Sequence, residues 1–306
     1  MHMYPIAEDY SETLYYPDPT IPLNTWQGTA GDFPTMSYAN HWHSDFEFVY
    51  IVSGSMKENI NGNVIDLKKG DLLFVNSRSM HFNYWTEPTE CDFICLVIHP
   101  SLIAVHAAEE DSEKLFGSNA VPYMMISAEA PDNKRISEKY LSLHKTILSE
   151  KRSGYELMGK IYDMFSQLLT RSSESSPVQA SEQRQIEILH RITGFIQKNY
   201  QNKLTLKEIS EAGLGGRSKC GDIFKKYLGK TPIEYLTEYR ILKAVELLRC
   251  SDMSITEISM QCGFGGASYF TERFVDLMGY TPTEYRKRGC EERDNERKWE
   301  YIPAWT

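Results

Sequence analysis

Long apolar runs are missing from this chain. No stretch reaches the roughly 18 apolar residues of a membrane span, and residues 1–10 hold no apolar leader segment. Neither a transmembrane helix nor a secretory leader is therefore expected, and the expected compartment is the cytoplasm. Cysteine is sparse: six residues in 306, without a CxxC pair or a regular spacing. That excludes a disulfide framework and fits a reducing environment. Cys220, Cys250 and Cys262 read as small apolar core residues, and Cys91 and Cys95 are too loosely spaced for a redox or metal pair. Excess positive charge is also missing, with 33 Lys+Arg against 42 Asp+Glu and a pI near 5.5. A chain of that charge does not coat nucleic acid indiscriminately.

The average hides a partition. Residues 1–183 carry 13 Lys+Arg against 25 Asp+Glu, net −12, whereas residues 184–288 carry 17 against 12, net +5. Residues 289–306 add −2. The basic segment is also duplicated. Thr231-Pro232-Ile233-Glu234-Tyr235 recurs 50 residues later as Thr281-Pro282-Thr283-Glu284-Tyr285. Thr205-Leu206-Lys207-Glu208-Ile209 recurs as Ser254-Ile255-Thr256-Glu257-Ile258, and Gly213-Leu214-Gly215-Gly216 matches Gly263-Phe264-Gly265-Gly266.

Each copy has helix-start signals. Thr205/Glu208, Thr231/Glu234, Ser254/Glu257 and Thr281/Glu284 fit the capping box, in which hydroxyl and carboxylate each satisfy a backbone N–H. Pro232 and Pro282 sit at the first helical position, where no N–H is needed. A short helix, a glycine-containing turn and a second helix ending near Gly229 or Gly279 make the helix-turn-helix pattern, whose second helix enters the major groove. One helix from about Pro232 to Arg249 should join the copies, with Leu236, Ile241, Ala244, Leu247 and Leu248 on its inner face. Arg240 lies in that face and is expected to form a structural ion pair with a carboxylate. At 1.5 Å per residue the connector spans about 27 Å, against about 34 Å between successive major-groove faces.

From about Ile192 to Arg288 the sequence resembles the DNA-binding domain of the AraC/XylS transcriptional regulators. The resemblance runs through Phe224-Lys225-Lys226, Gly229-Lys230-Thr231-Pro232, Tyr239-Arg240, Gly263-Phe264, Ser268-Tyr269-Phe270 and Gly279-Tyr280-Thr281-Pro282. It implies two recognition helices, about 217–227 and 267–277. The first would offer Arg217, Ser218, Lys219, Gly221 and Lys225 to double-stranded DNA. The second would offer Gly266, Ala267, Ser268, Tyr269, Thr271 and Arg273. Ser268 and Thr271 read either bases or phosphates, and Cys220, Phe224, Phe270 and Phe274 are core. Asp222 and Glu272 stand where relatives often carry basic residues. DNA binding by a monomer should therefore be weak and strengthened by dimerisation. A protein-interaction module that has lost DNA binding is the alternative these acids raise, and RNA polymerase is a further candidate partner.

The acidic half reads as β-structure from Asp45 to Ile98. Phe46 to Val52 has the continuous apolar character of a strand buried on both faces. Asn61-Gly62 is a strong hairpin signal between Met56–Ile60 and Val64–Leu67. Short strands with frequent turns suggest a small barrel or jelly roll. Within it, His41, His43, Glu47 and Gly54, followed by Gly70 and His81, resemble the cupin signature, although Asn76 and Arg78 depart from its second motif. That resemblance implies two uses for His41, His43, Glu47 and His81. One is a divalent metal site; the other is a lining for a small organic effector, to which Trp42 and Tyr84 would add aromatic surface. A structural polar network is the third reading. A metal-dependent enzyme would need the same four residues with an open coordination position, and no further general base accompanies them, so the chain is not expected to be an enzyme.

Two amphipathic helices should follow. Leu157, Ile161, Met164, Phe165 and Leu168 share one face of the second, and Ile136, Tyr140, Leu143 and Ile147 make a stripe on the first. These faces serve either a homodimer partner or the protomer's own barrel. The expected fold is α+β in two domains. Residues 1–130 form a cupin-like effector-sensing domain, 131–170 a helical dimerisation segment, 171–183 a polar linker, 184–288 the tandem helix-turn-helix domain, and 289–306 a tail. The expected function is a ligand-responsive, sequence-specific DNA-binding transcriptional regulator.

Overall fold

The computed structural model describes residues 11–30, 40–84, 90–104, 108–117, 120–130, 133–172, 180–214 and 216–287. Trp85, Gly215, the middle of the expected linker and the expected tail lie outside the described residues. The N-terminal strands are β1 (Leu23–Ala30), β2 (Phe46–Ser53), β3 (Ser55–Ile60), β4 (Asn63–Lys68), β5 (Leu72–Val75), β6 (His81–Tyr84), β7 (Cys91–Ile98) and β8 (Tyr123–Ile126). They form a five-stranded sheet, β1-β7-β2-β5-β8, and a three-stranded sheet, β4-β3-β6. Asn61 and Gly62 both have positive φ, 49° and 83°, and Ile60 pairs with Asn63. This is the two-residue turn whose twist matches that of the flanking strands.

β2 is buried on both faces because two layers meet on it. Val49 and Ile51 pack with Met56, Ile60, Leu67 and Val97 between the sheets. Phe46 and Phe48 pack outward with Phe74, Leu96 and the helices. After the short α1 (Ser101–Ala104) and α2 (Glu109–Phe116), those helices are α3 (Lys134–Ile147) and α4 (Gly154–Ser172). The stripes of Tyr140, Leu143, Leu157, Ile161 and Phe165 are buried on the protomer's own sheet, so these faces are not open to a second chain. β1 and β8 are not expected from the sequence. β1 is an edge strand carrying Asn24, Thr25, Gln27 and Thr29, and it is held by pairing with β7 along its length rather than by apolar alternation.

The C-terminal helices are α5 (Ala180–Asn199), α6 (Leu206–Ala212), α7 (Arg217–Leu228), α8 (Pro232–Cys250), α9 (Ile255–Gln261) and α10 (Ala267–Met278), followed by a helix at 282–287. All four expected capping boxes form, and Gly229 and Gly279 close α7 and α10 in the left-handed conformation. Helical backbone runs through 171–172 and resumes at 180. The polar Ser-rich run that reads as linker is therefore partly helix: Ala180, Ser181, Glu182 and Gln183 make the first turn of α5.

Two expectations are corrected. The glycine turns of the copies do not superpose as Gly213 on Gly263. Gly213 caps α6 as Cys262 caps α9, and the left-handed turn residue is Leu214 (φ 54°) in the first copy and Gly263 (φ 79°) in the second. The second turn holds one residue more. Arg240 is structural as expected, but its partners are the carbonyls of Tyr200 and Asn202, each at 2.8 Å, not a carboxylate. Carbonyls just past the end of α5 have no helical donor, and the guanidinium supplies it.

Candidate functional site

His41 and His81 face each other in an isolated antiparallel bridge, with His41 N–H donating to His81 O at 3.1 Å and His81 N–H to His41 O at 2.9 Å. Glu47 enters from the inner face of β2, the face that carries Val49 and Ile51. The Nε2 atoms of His43 and His81 lie 2.9 and 3.1 Å from one oxygen, Glu47 Oε2. The other oxygen accepts from Cys95 Sγ at 3.2 Å. Nδ1 of His43 donates to Asp45 O (3.1 Å) and Nδ1 of His81 to Ser79 O (2.9 Å). A carbonyl only accepts, so both Nδ1 atoms carry their protons and both Nε2 atoms aim at the carboxylate. His41 Nε2 stands 3.7 Å from Glu12. The ligand atoms of His41, His43, Glu47 and His81 all lie within 4.8 Å of one another.

The electrostatics follow from this geometry. Burial alone would raise the Glu47 carboxyl, but His81 and His43 hold it well below the usual carboxylate range. Burial would lower His81, but Glu47 outweighs it and pushes the imidazole up to about 9. Glu58, on the same inner face as Met56 and Ile60, is pushed up to about 8 by burial. Its Oε2 and the Oδ1 of Asn83, its cross-strand neighbour, are buried and find no hydrogen-bond partner among the described residues. Neither stands out in the sequence as a site residue. A signal for Glu58 exists in Met56-Lys57-Glu58-Asn59-Ile60, where strand alternation puts it on an apolar face.

The six residues expected to meet an effector divide between two sides of the barrel wall. His41, His43, Glu47 and His81 converge inside. Trp42, between two inward residues, points outward: it is 4% exposed and stacks on His190 of α5, ring centroids 4.5 Å apart and planes 9° apart. The guanidinium of Arg78 lies 5.5 Å from the Trp42 ring. Beside it, Asn40 O accepts from Gln197 Nε2 (2.9 Å) and Tyr235 Oη (3.1 Å). Tyr84 also points outward, with Phe82. The two line a cavity of about 500 Å³ between the barrel and the first helix-turn-helix unit, with Lys226, Lys230, Tyr235 and Tyr239 opposite.

On the helical side, Arg217, Ser218, Lys219 and Lys225 are exposed on α7, and Ser268 and Tyr269 on α10. Gly221, Gly266, Ala267, Thr271 and Arg273 are partly exposed, and Cys220, Phe224, Phe270 and Phe274 are buried. Lys225 Nζ also donates to Gly229 O at 3.2 Å, as a basic residue near a helix C-terminus does. Arg273 bridges Glu272 (2.6 Å) and Asp276 (2.7 Å), so the one cation offered by α10 is neutralised on its own helix. The exposed surface of α7 is therefore basic and that of α10 polar. Among the described residues no helix is long and apolar enough to cross a membrane.

Comparison with known proteins agrees with this architecture. Residues 27–187 match the AraC-like ligand binding domain, and residues 213–288 match a helix-turn-helix domain. The chain is 32% identical over 257 residues to the HTH-type transcriptional regulator YdeC of Bacillus subtilis (strain 168), covering 81% of this chain and 85% of that one. It is 22% identical over 259 residues to the HTH-type transcriptional activator RhaS of Enterobacter sp. (strain 638), covering 83% and 89%. Among solved structures, ToxT from Vibrio cholerae covers 87% of this chain and 98% of its own at 15% identity, with a TM-score of 0.49.

Proposed function

The chain belongs to the AraC family of transcriptional regulators, and on that premise we propose that one protomer reads two consecutive major grooves with α7 and α10. The observation that carries this is the pair of capped helix-turn-helix units on a single 19-residue connector, α8. At 1.5 Å per residue that connector is about 28 Å long, near the roughly 34 Å between successive groove faces. Arg217, Ser218, Lys219, Gly221 and Lys225 make the first contact, with the cations on phosphates. Gly266, Ala267, Ser268, Tyr269 and Thr271 make the second, where small side chains let the backbone approach. Arg273 joins them only by leaving Glu272 and Asp276.

The ligand-binding half senses a small-molecule effector. Binding favours one arrangement of barrel and helices over another, and the DNA affinity follows that population. The boundary between sensor and reader falls at 171–183. A homodimer strengthens the modest affinity of one protomer. Since the stripes of α3 and α4 are buried at home, the dimer uses other surfaces of that helical layer, where Tyr155 is 94% exposed. RNA polymerase is the partner through which bound protein would act on transcription.

The test is in-vitro selection from random duplexes, followed by footprinting and a salt titration. The expected footprint covers two grooves about one helical turn apart. Removing one phosphate-binding cation, as in Arg217→Ala or Lys219→Ala, should reduce the salt slope by about 0.9. Binding unchanged in both variants would remove α7 from the interface; a footprint of one groove would remove α10.

A further inference from the structure

We propose that Asp222, on the outward face of α7, reads a cytosine in the major groove, and that Gly221 beside it lets the helix seat closely enough for so short a side chain to reach. This deepens the two-groove reading above and rests on it.

The placement follows from helix geometry. Cys220, Ile223, Phe224, Tyr227 and Leu228 form the buried side of α7. At about 100° per residue, Ser218, Asp222 and Lys225 lie within about 40° of the line opposite that side, and all three are exposed. Arg217 and Lys219, also exposed, lie about 80–120° to either side of the same line. These two cations are thus set toward the walls of a groove, where the phosphates run, and the carboxylate toward its floor. The N-terminal part of a recognition helix meets the base edges, which puts Ser218 and Asp222 on the bases and Lys225, one turn further on, by the backbone.

No partner within the chain neutralises this acid. The lysines one turn beyond it bond elsewhere: Lys225 to Gly229 O at 3.2 Å, Lys226 to Gln185 Oε1 at 3.2 Å and to Tyr227 Oη at 2.9 Å. Among the described residues Asp222 forms no ion pair, whereas the equivalent acid of α10, Glu272, is held by Arg273 at 2.6 Å. An ionised carboxylate only accepts hydrogen bonds, and phosphate repels it. In the major groove the donors are cytosine N4 and adenine N6, and adenine sets its N7 acceptor beside N6. Cytosine is therefore the base that satisfies Asp222.

Gly221 is an independent sign that something approaches this face. Glycine inside a helix is destabilising relative to alanine, and a Cβ added at Gly221 would meet nothing within 4 Å. The packing of the chain itself does not require a glycine here. A helix backbone left bare on a partly exposed side suits the close approach of another molecule.

The experiment is selection on random duplexes by the full-length protein, with Asp222→Asn, Asp222→Ala and Gly221→Ala run alongside. The wild-type site should contain a position fixed as cytosine that Asp222→Asn turns to adenine, whose N6 and N7 match a carboxamide, with the other positions unchanged. Asp222→Ala should lose at least about fivefold of the preference for cytosine there, while binding random-sequence duplex more tightly because a repulsion is gone. Gly221→Ala should hold or raise Tm and yet lose affinity for the selected duplex. A site in which both Asp222 variants select the same bases as the wild type overturns the proposal and leaves the two-groove footprint standing. Gly221→Ala bound as tightly as the wild type overturns the close seating and with it the reach of Asp222. A selection that enriches no sequence overturns both this proposal and the reading beneath it.

Discussion

The two copies share a turn position at which opposite substitutions should have opposite effects. Leu214 occupies the left-handed region at φ 54° in the first copy, and Gly263 occupies it at φ 79° in the second. For a side chain with a Cβ that region costs about 1–2 kcal/mol. Leu214 is 81% exposed, so replacing it loses little burial. Leu214→Gly removes the penalty but frees the unfolded chain at a cost of about 0.4–1 kcal/mol, leaving a net gain of about 0.5–1 kcal/mol. Gly263→Ala takes on the same penalty. Its new Cβ would also stand 2.5 Å from Tyr200 O, which Arg240 holds, and 2.7 Å from Gln201 O. A loss above about 2 kcal/mol is expected, in the range of strain at a special backbone position. At about 2–4 °C per kcal/mol for domains of this size, calorimetry at a fixed scan rate should show Leu214→Gly melting slightly higher and Gly263→Ala several degrees lower. If Leu214→Gly lowers Tm, or both variants move the same way, the assignment of Leu214 and Gly263 as equivalent turn residues is wrong.

Three further expectations concern other parts of the molecule. Arg240→Met leaves the carbonyls of Tyr200 and Asn202 without their donor at a cost of about 1–3 kcal/mol, and it should lower Tm and raise amide exchange at residues 199–202; unchanged exchange would refute the joint. His144 accepts a hydrogen bond from Gln27 at Nε2 and donates from Nδ1 to Thr25, and burial with Lys145 lowers its pKa. Its folded pKa is below the unfolded value of about 6.5, so stability is full above that value and falls as pH drops through it. His144→Gln should flatten the Tm–pH profile between pH 7 and the folded pKa, and an unaltered profile would exclude His144 as its source. Phe224→Ala and Phe274→Ala, at equivalent fully buried positions, should each cost about 3–5 kcal/mol and abolish DNA binding. A variant that keeps a full two-groove footprint would show that its unit is dispensable.

Much of the reader is legible in the sequence because its signals are local. A capping box needs only two residues three apart, and Gly229 and Gly279 stop helices through their own backbone freedom. The hairpin at Asn61-Gly62 and the metal-like spacing of His41, His43, Glu47 and His81 are legible for the same reason. The sequence misleads where a feature has its cause elsewhere in the chain. A buried Arg240 needs acceptors, and local pattern suggests a carboxylate; the acceptors are carbonyls freed by the end of a helix 40 residues away. β1 escapes the apolar pattern because an edge strand owes its order to β7. Sequence proximity groups Trp42 with its neighbouring histidines, whereas alternation sends it through the wall to α5.

The sequence by itself determined the family, the two helix-turn-helix units, the basic reader behind an acidic sensor, and the four residues that could surround an ion. These follow from short-range chemistry: periodicity, caps, turn residues and charge. Only the tertiary structure decided that the amphipathic faces of α3 and α4 are covered by their own barrel, that Arg273 is neutralised by its helix neighbours, and that Asn40 and Trp42 join the sensor to α5 and α8. Apolar and polar groups alike take whatever partner the packed chain brings within reach, and that choice depends on the whole fold rather than on any local pattern.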